Sequence, residues 1–177
     1  GLKRRVHAPD IPVTPITAVR AIDFVYARKL GYVVRQVARA ELIPESTATH
    51  ASVQPALVPE PSALGRVGGS QNIVVVDGRF GGETAFSGFG AGGHPTAVAV
   101  VSDVISIRNK GSLLSESWLP LNVMPSRVIA EFKAAHYIRF TVNDRPGVIA
   151  DLAEILSKYQ INVDAVLQEP GWSKSEL

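Results

Sequence analysis

Hydrophobic residues recur at helical or strand spacing along most of this chain, and they predict where its first elements lie. Thr17 can cap a helix that runs to about Leu30 and ends at Gly31, with one apolar face made of Ile22, Val25, Tyr26 and Leu30. Residues 32–40 then alternate in part, which predicts a strand. Residues 41–72 are rich in Pro, Ser, Gly and Ala, so only short strands are expected there.

The middle of the chain predicts a hairpin followed by a helix. Residues 71–76 have a strand pattern, Asp77-Gly78 is a turn signal, and residues 84–86 can form the returning strand. Residues 95–107 contain many β-branched side chains, which favour a strand, but their length and the Pro-Thr entry favour a helix. We therefore expect a helix there.

The C-terminal part of the chain has the most regular pattern. Residues 137–142 alternate with one apolar face, which predicts a strand buried on one side. A turn at 143–147 leads into a helix with a single apolar stripe, made of Val148, Leu152, Ile155 and Tyr159. Residues 161–167 alternate again, so this region is expected to run strand, helix, strand.

Composition narrows the class of protein. The chain has 177 residues, 46% hydrophobic and 19% charged, which is ordinary for a soluble globular domain with or without a small additional module. It has no cysteine, which excludes disulfides and cysteine-ligated zinc and suits the cytoplasm. Its longest apolar runs are far shorter than the ~20 residues of a membrane span. The histidines are too scattered to suggest a metal site.

Positive charge is concentrated near the start of the chain, although the net charge is only +2. The basic residues among the first 40 are Lys3, Arg4, Arg5, Arg20, Arg28, Lys29, Arg35 and Arg39. Aromatic side chains are not interleaved with them in the manner of a nucleic-acid surface. We therefore interpret them as a solvated face and expect no nucleic-acid partner.

A run of glycines opens directly into the predicted middle helix. Gly88, Gly90 and Gly93 satisfy the dinucleotide signature G-x-G-x-x-G. A Rossmann turn also needs a buried apolar strand before it and an acid about 20 residues later, but residues 82–87 are half polar and Asp103 comes too early. Two physical features of a ligand-binding loop are nevertheless present. Glycines allow the backbone to approach a ligand closely, and the N-terminus of the following helix supplies free N–H groups. From the glycines alone, a ligand loop and a plain flexible connection remain open.

The longer string GFGAGGHPTAVAVVSD, residues 88–103, resembles the G-x-G-A-G-x-x-P-T-x-x-A-V-x-x-D segment of homoserine dehydrogenases. Other parts of the chain follow in the order that this family requires. Residues 16–40 resemble its DI-x-x-A-x-x-LGY helix and the following strand, and residues 53–78 resemble its next strand pair. Residues 136–168 are similar to the opening of an ACT domain, an amino-acid-binding regulatory module.

Homoserine dehydrogenases interconvert L-homoserine and L-aspartate 4-semialdehyde with NAD or NADP, on the route to threonine and methionine. The resemblance implies that Gly90, Ala91, Gly92 and Thr96 lie beside the nicotinamide end of the cofactor. The family's Rossmann domain and proton-transfer lysine would precede this chain, so no catalytic residue is assigned. His94 is an alternative proton donor in the loop, although an incidental or capping histidine is the simpler interpretation.

The ACT resemblance implies a binding site for an amino-acid effector such as threonine. The matching positions lie between the first strand and the helix: Asn143, Asp144, Pro146, Gly147 and Val148. In one interpretation, Asp144 binds the effector's ammonium group and the helix N-terminus binds its carboxylate. In the other, which is equally favoured, no effector binds here: Asp144 merely forms an Asx turn and Gly147 merely turns the chain. In the ferredoxin-like plan of ACT domains the third strand lies between the first two. We therefore expect an open slot, filled in a parent polypeptide by residues beyond Leu177.

These observations predict an α+β fold. The resemblance implies that residues 1–107, a mixed sheet with helices, are the C-terminal part of the family's substrate and dimerisation domain, that 108–135 form a linker, and that 136–177 form a partial ferredoxin-like ACT module. The alternative for this last segment is a complete βα excursion on the larger domain. The chain begins with glycine and its only methionine is Met124, so we expect it to be part of a longer polypeptide. The resemblance also implies a homodimer. A second hypothesis is a non-catalytic regulatory protein that binds amino acids, and the sequence upstream of Gly1 would discriminate between the two.

Overall fold

A computed structural model describes residues 4–110, 123–130, 133–143 and 145–168. In chain order the elements are β1 (Arg4–Arg5), α1 (Ala21–Lys29), β2 (Tyr32–Leu42), β3 (Thr49–Pro59), β4 (Gln71–Gly78), β5 (Gly82–Phe89), α2 (Gly93–Lys110), β6 (Met124–Pro125), β7 (Val128–Ile129) and α3 (Val148–Lys158). Short 3₁₀ turns lie at Ala8–Asp10 and Ile16–Ala18. Helices and mixed sheets together confirm the predicted α+β class.

A three-stranded sheet in the order β2-β3-β7 organises the N-terminal region. β2 and β3 are antiparallel, from Tyr32 opposite Pro59 to Leu42 opposite Thr49, and β7 adds in parallel at the start of β3. The 11 residues of β3 correct the prediction of only short strands within 41–72. Pro55 lies within β3 without interrupting a ladder: β7 pairs with the second edge of β3 at Thr49 and His50, Val13 bridges that edge at Val53, and among the described residues this pairing ends before Pro55.

Helix α1 packs against β2, and the buried apolar side chains come from this layer, from both ends of β3 and from the residue before it. They are Ile22, Ala27, Val34, Ala48, Ala51 and Val58. Thr49 and Ser52 are buried beside them, and the Thr49 hydroxyl shares a 2.8 Å hydrogen bond with the Ser126 hydroxyl. The segment before β7 is therefore tied to the sheet by a buried polar contact.

The start of α1 differs from the prediction. Thr17 lies in a 3₁₀ turn and caps nothing, and the helix begins at Ala21. The backbone N–H of Arg20 donates instead to Oδ2 of Asp23 over 2.9 Å, because a carboxylate in the first turn can reach back to a free donor and also complements the helix dipole. At the other end Gly31 has φ +81, as a glycine that terminates a helix requires.

The hairpin and the middle helix are confirmed. β4 and β5 pair from Gln71 opposite Phe89 to Gly78 opposite Gly82, so the turn is formed by residues 79–81 rather than by Asp77-Gly78. α2 follows after a short loop. Both elements leave apolar side chains exposed, among them Val74, Phe86, Phe89, Val98, Val101 and Val104.

In the C-terminal region α3 is confirmed, but the two predicted strands are not formed. Residues 137–143 and 161–168 belong to neither a helix nor a strand. A strand needs a neighbour for its ladder hydrogen bonds, and the described residues offer these two segments none. Within the expected linker, β6 and β7 pair with β1 and β3. Among the helices of the described ranges, none combines the length and apolarity needed to cross a membrane.

Candidate functional site

The loop between β5 and α2 is the first candidate site, and three of its four predicted residues form one exposed turn. Gly90, Ala91 and Gly92 are consecutive, and Thr96 lies in the first turns of α2. Thr96 donates its backbone N–H (3.1 Å) and its hydroxyl (2.8 Å) to the carbonyl oxygen of Gly92. Gly92 has φ +121, a conformation that L side chains rarely adopt. The glycine and the threonine thus fix the entry of the helix together.

Gly90 is held by the residue that directly precedes β4, on the opposite side of the hairpin. Its backbone N–H donates to the carbonyl of Ser70 over 3.2 Å. A Cβ placed on Gly90 would overlap the side-chain amide nitrogen of Asn72. Sequence reasoning missed Asn72, although the hairpin register, which places it opposite Gly88, was the signal that could have found it.

Arg35 of β2 fixes the segment that leads to Ser70 and Asn72. Its guanidinium donates to the carbonyl oxygens of Leu64 (3.4 Å), Gly65 (3.0 Å) and Val67 (2.5 Å). Arg35 is only half exposed, so its assignment to a solvated basic face is wrong. The side chain instead donates hydrogen bonds to backbone carbonyl groups of a loop at residues 64–67, which does not pair with a neighbouring strand in the described part of the chain.

The first turn of α2 supplies hydrogen-bond donors at the loop. The N–H groups of Gly93 and His94 have no partner within the helix, and Pro95 lacks an N–H at a position where none is needed. A Cβ on Gly88 or Gly93 would meet nothing within 4 Å. Exposed backbone, open space and the positive end of a helix dipole fit contact with a flat ring or an anionic group. Two shallow surface concavities lie along the flanks of α1 and α2 rather than at this loop.

The predicted effector loop lies at the N-terminus of α3. Pro146 and Gly147 form a turn, Gly147 has φ +92, and its carbonyl accepts the N–H of Asp151 over 3.0 Å. Val148 is the first residue of the helix, and Asn143 is described on the other side of the loop. Asp144 lies outside the described residues, so its proposed contact with an ammonium group is not placed.

A third cluster, which sequence reasoning missed, joins α1 to residues 137–139. Oδ1 of Asp23 accepts the Tyr137 hydroxyl over 2.8 Å and Nε of Arg139 over 2.7 Å. Asp23 is 8% exposed, and the ion pair with Arg139 is largely shielded from water. The alternation at 137–142 had identified a polar face, but nothing local in the sequence identified its partner.

The pKa values of this cluster follow from its burial and contacts. Burial by itself would raise the pKa of Asp23, but hydrogen bonds from Arg139, the Arg20 N–H and Tyr137 outweigh it and lower the pKa. Burial and the hydrogen bond to Asp23 raise the pKa of Tyr137 to about 12. The hydrogen bond to Asp23 likewise raises the pKa of Arg139. At neutral pH the cluster is therefore a carboxylate held between a guanidinium and a neutral phenol.

Comparison with known proteins identifies two regions. The family model of homoserine dehydrogenase matches residues 2–105, and the model of the ACT domain matches residues 136–175. Homoserine dehydrogenases of Helicobacter pylori and Mycobacterium tuberculosis are 32% and 36% identical to the chain, over 90% and 93% of its length. A crystal structure of a homoserine dehydrogenase from Thiobacillus denitrificans covers 90% of the chain with 26% identity and a TM-score of 0.64.

In each of these three comparisons the chain spans 38% of the relative's own length. The glycine string, the α1–β2 unit and the β4–β5 hairpin all lie within the region matched by the first model. Because that model covers more than half of the chain, the chain belongs to the homoserine dehydrogenase family, and it carries an ACT domain in its C-terminal part.

Proposed function

We propose that this chain forms part of an NAD(P)-dependent homoserine dehydrogenase, with residues 1–107 from the substrate and dimerisation domain, 108–135 a linker and 136–177 an ACT regulatory module. The enzyme would interconvert L-homoserine and L-aspartate 4-semialdehyde. The single observation that carries the proposal is the exposed glycine loop before α2, which lies within the region that the homoserine dehydrogenase family model matches. The proton-transfer residue is assigned to a part of the enzyme outside this chain.

The proposed cofactor contacts are Gly90, Ala91, Gly92 and Thr96. The conformation of Gly92 exposes the loop backbone, and with no side chain larger than the methyl group of Ala91 at residues 90–92 a flat nicotinamide ring can approach it. Thr96 holds the Gly92 carbonyl and so keeps the loop in this shape. The cofactor, when bound, accepts or donates the hydride; the residues here position it and offer the N-terminus of α2 to a nearby negative charge.

The proposed effector contacts are Asn143, Asp144, Pro146, Gly147 and Val148, with an amino acid such as threonine as the effector. The N-terminus of α3 suits the effector's carboxylate. We also propose a homodimer, because the alternating residues of β2 and β4 leave apolar positions such as Tyr32, Val74 and Val76 exposed. The proposed location is the cytoplasm, which a chain without cysteine suits.

The test uses the complete dehydrogenase that contains this chain. Gly92→Val should raise the KM for the dinucleotide and lower turnover, because a branched side chain blocks the approach of the ring. Gly81→Ala is the matched control, since it lies at the opposite end of the same hairpin and an added Cβ there meets nothing within 4 Å. The 177-residue chain on its own should show no homoserine-dependent reduction of NAD(P).

Three outcomes would contradict the proposal. Wild-type cofactor kinetics in a natively folded Gly92→Val enzyme would remove the loop from the cofactor site. Turnover by the isolated chain would show that catalytic residues lie within it. A complete protein that binds threonine but never oxidises homoserine would favour a purely regulatory protein.

A further inference from the structure

Asp23 is shared between two parts of the chain that are far apart in sequence. One carboxylate oxygen accepts the N–H of Arg20 and so begins α1. The other accepts Tyr137 and Arg139, 114 and 116 residues later. The same side chain therefore caps a helix of the dehydrogenase region and anchors the first segment of the ACT region.

Because Asp23 is buried, its carboxylate depends on the hydrogen bonds from Tyr137 and Arg139. A carboxylate that is 8% exposed has lost most of its hydration, and this loss is compensated only while charged or polar donors remain in place. If residues 137–139 move away, Asp23 must either rehydrate or change its bonds to α1. Movement of the ACT segment is thus energetically coupled to the first turn of the helix.

The far end of α1 leads towards the glycine loop. The carbonyl of Gly31, just after the helix, accepts the N–H of Glu60 over 3.1 Å. Arg35 clamps the segment that follows, at residues 64–67, and the Ser70 carbonyl then holds Gly90. On the other side, residues 137–139 are separated by only a few residues from the proposed effector loop. Hydrogen bonds, alternating with short stretches of the chain itself, therefore connect the two candidate sites.

We propose that Asp23 is the docking point of the ACT region on the dehydrogenase region, and that it transmits the effector-dependent position of residues 137–139 to α1. The transmission rests on the proposed function. The docking contact does not, and the two are tested separately.

The docking is tested by hydrogen exchange on the 177-residue chain. Arg139→Gln removes the charged donor and leaves the Arg20–Asp23 bond intact. Arg145→Gln is the matched control, because it removes an exposed arginine–aspartate pair within the ACT region itself. We expect the amides of residues 23–27 in α1 to exchange about 10- to 100-fold faster in Arg139→Gln, as loss of a shielded charge-assisted bond implies. In Arg145→Gln they should exchange at the wild-type rate.

Wild-type exchange at residues 23–27 in a natively folded Arg139→Gln chain overturns the docking contact. Tyr137→Phe gives a second measurement, since it removes one hydroxyl and should accelerate the same amides to a smaller extent. Equal acceleration by Arg145→Gln also overturns the proposal, because the effect would then be unspecific.

The transmission is tested in the complete dehydrogenase with L-threonine as the probe. In Arg139→Gln the threonine concentration for half-inhibition should rise about tenfold, a typical size for allosteric coupling, while kcat/KM without threonine stays at the wild-type value. If amide exchange accelerates but the threonine concentration for half-inhibition is unchanged, the docking contact stands and its role in transmission is refuted. A complete protein without homoserine oxidation refutes the proposed function, and the exchange result still decides the docking.

Discussion

Replacing Gly65 by alanine should destabilise the segment that supports the glycine loop, because the structure leaves no space for a Cβ there. The added atom would overlap the carbonyl oxygen of Pro59 and lie 2.6 Å from that of Glu60. Both obstacles are backbone atoms, which cannot rotate away as a side chain can. The turn itself must therefore open.

The cost can be worked out from the bonds that would be lost. Opening the turn separates the Gly65 carbonyl from the Arg35 guanidinium (3.0 Å) and the Gly65 N–H from the Ser62 hydroxyl (3.0 Å). A bond to a charged donor contributes about 1.5–3 kcal/mol and a neutral one about 0.5–1.5 kcal/mol, so the free energy of unfolding should fall by about 2–4.5 kcal/mol. This is a large part of the about 5–15 kcal/mol that stabilises a typical domain.

Urea unfolding followed by far-UV circular dichroism measures this change. Gly68→Ala is the matched control, since it lies in the same segment and an added Cβ would meet nothing within 4 Å. Its free energy of unfolding should stay within about 0.5 kcal/mol of the wild type. Equal midpoints for the two variants, with equal slopes, would refute the argument, because the turn would then adapt without losing its bonds.

Three other predictions concern the site and its surroundings. Gly90→Ala should destabilise the hairpin only while the Asn72 side chain is present, so urea unfolding of the double variant with Asn72→Ala should recover the loss; no recovery would assign the cost to the backbone. Burial alone would raise the pKa of Asp23, but its hydrogen bonds outweigh burial and lower the pKa below the ordinary value of 3.8. The ionised carboxylate therefore contributes its full stabilisation at a pH above 3.8, and this contribution is lost as the pH falls through the pKa of Asp23 in the folded chain. Asp23→Asn should therefore be less stable than the wild type at neutral pH and approach it in acid, and a difference independent of pH would contradict this. Deletion of residues 136–177 should leave a discrete dimer, because the proposed dimer surface lies on β2 and β4; light scattering coupled to size exclusion measures this, and monomers for both chains would remove the proposed dimer.

Elements with local signals could be predicted from the sequence. The entry Pro95-Thr96 and the length of the apolar run identified α2 despite its β-branched residues, and the single apolar stripe identified α3. The hairpin followed from its alternation and turn residues, with the turn displaced by a residue or two because Asp77 and Gly78 still pair across it. In each case the information lies within a single helix or a single pair of strands.

Features that depend on distant partners could not be predicted. Whether Pro55 interrupts a strand depends on which edge of β3 is paired, and this is decided by segments elsewhere in the chain. The partner of Asp23 lies more than a hundred residues away, at Tyr137 and Arg139. The same limit explains the missing strands at 137–142 and 161–167, because alternation describes a face but cannot supply the neighbour that completes a ladder.

The glycine signature combines separate physical requirements, and the structure distinguishes them. Gly90 is small because the Asn72 amide occupies the position of its Cβ, and Gly92 is glycine because its φ is +121. These two residues are explained by the chain's own fold. Gly88 and Gly93 are not, since a Cβ on either would meet nothing within 4 Å of the described chain. The same open space surrounds Gly68 and Gly81, which lie away from the loop, so the cofactor contacts proposed in this loop remain Gly90, Ala91, Gly92 and Thr96.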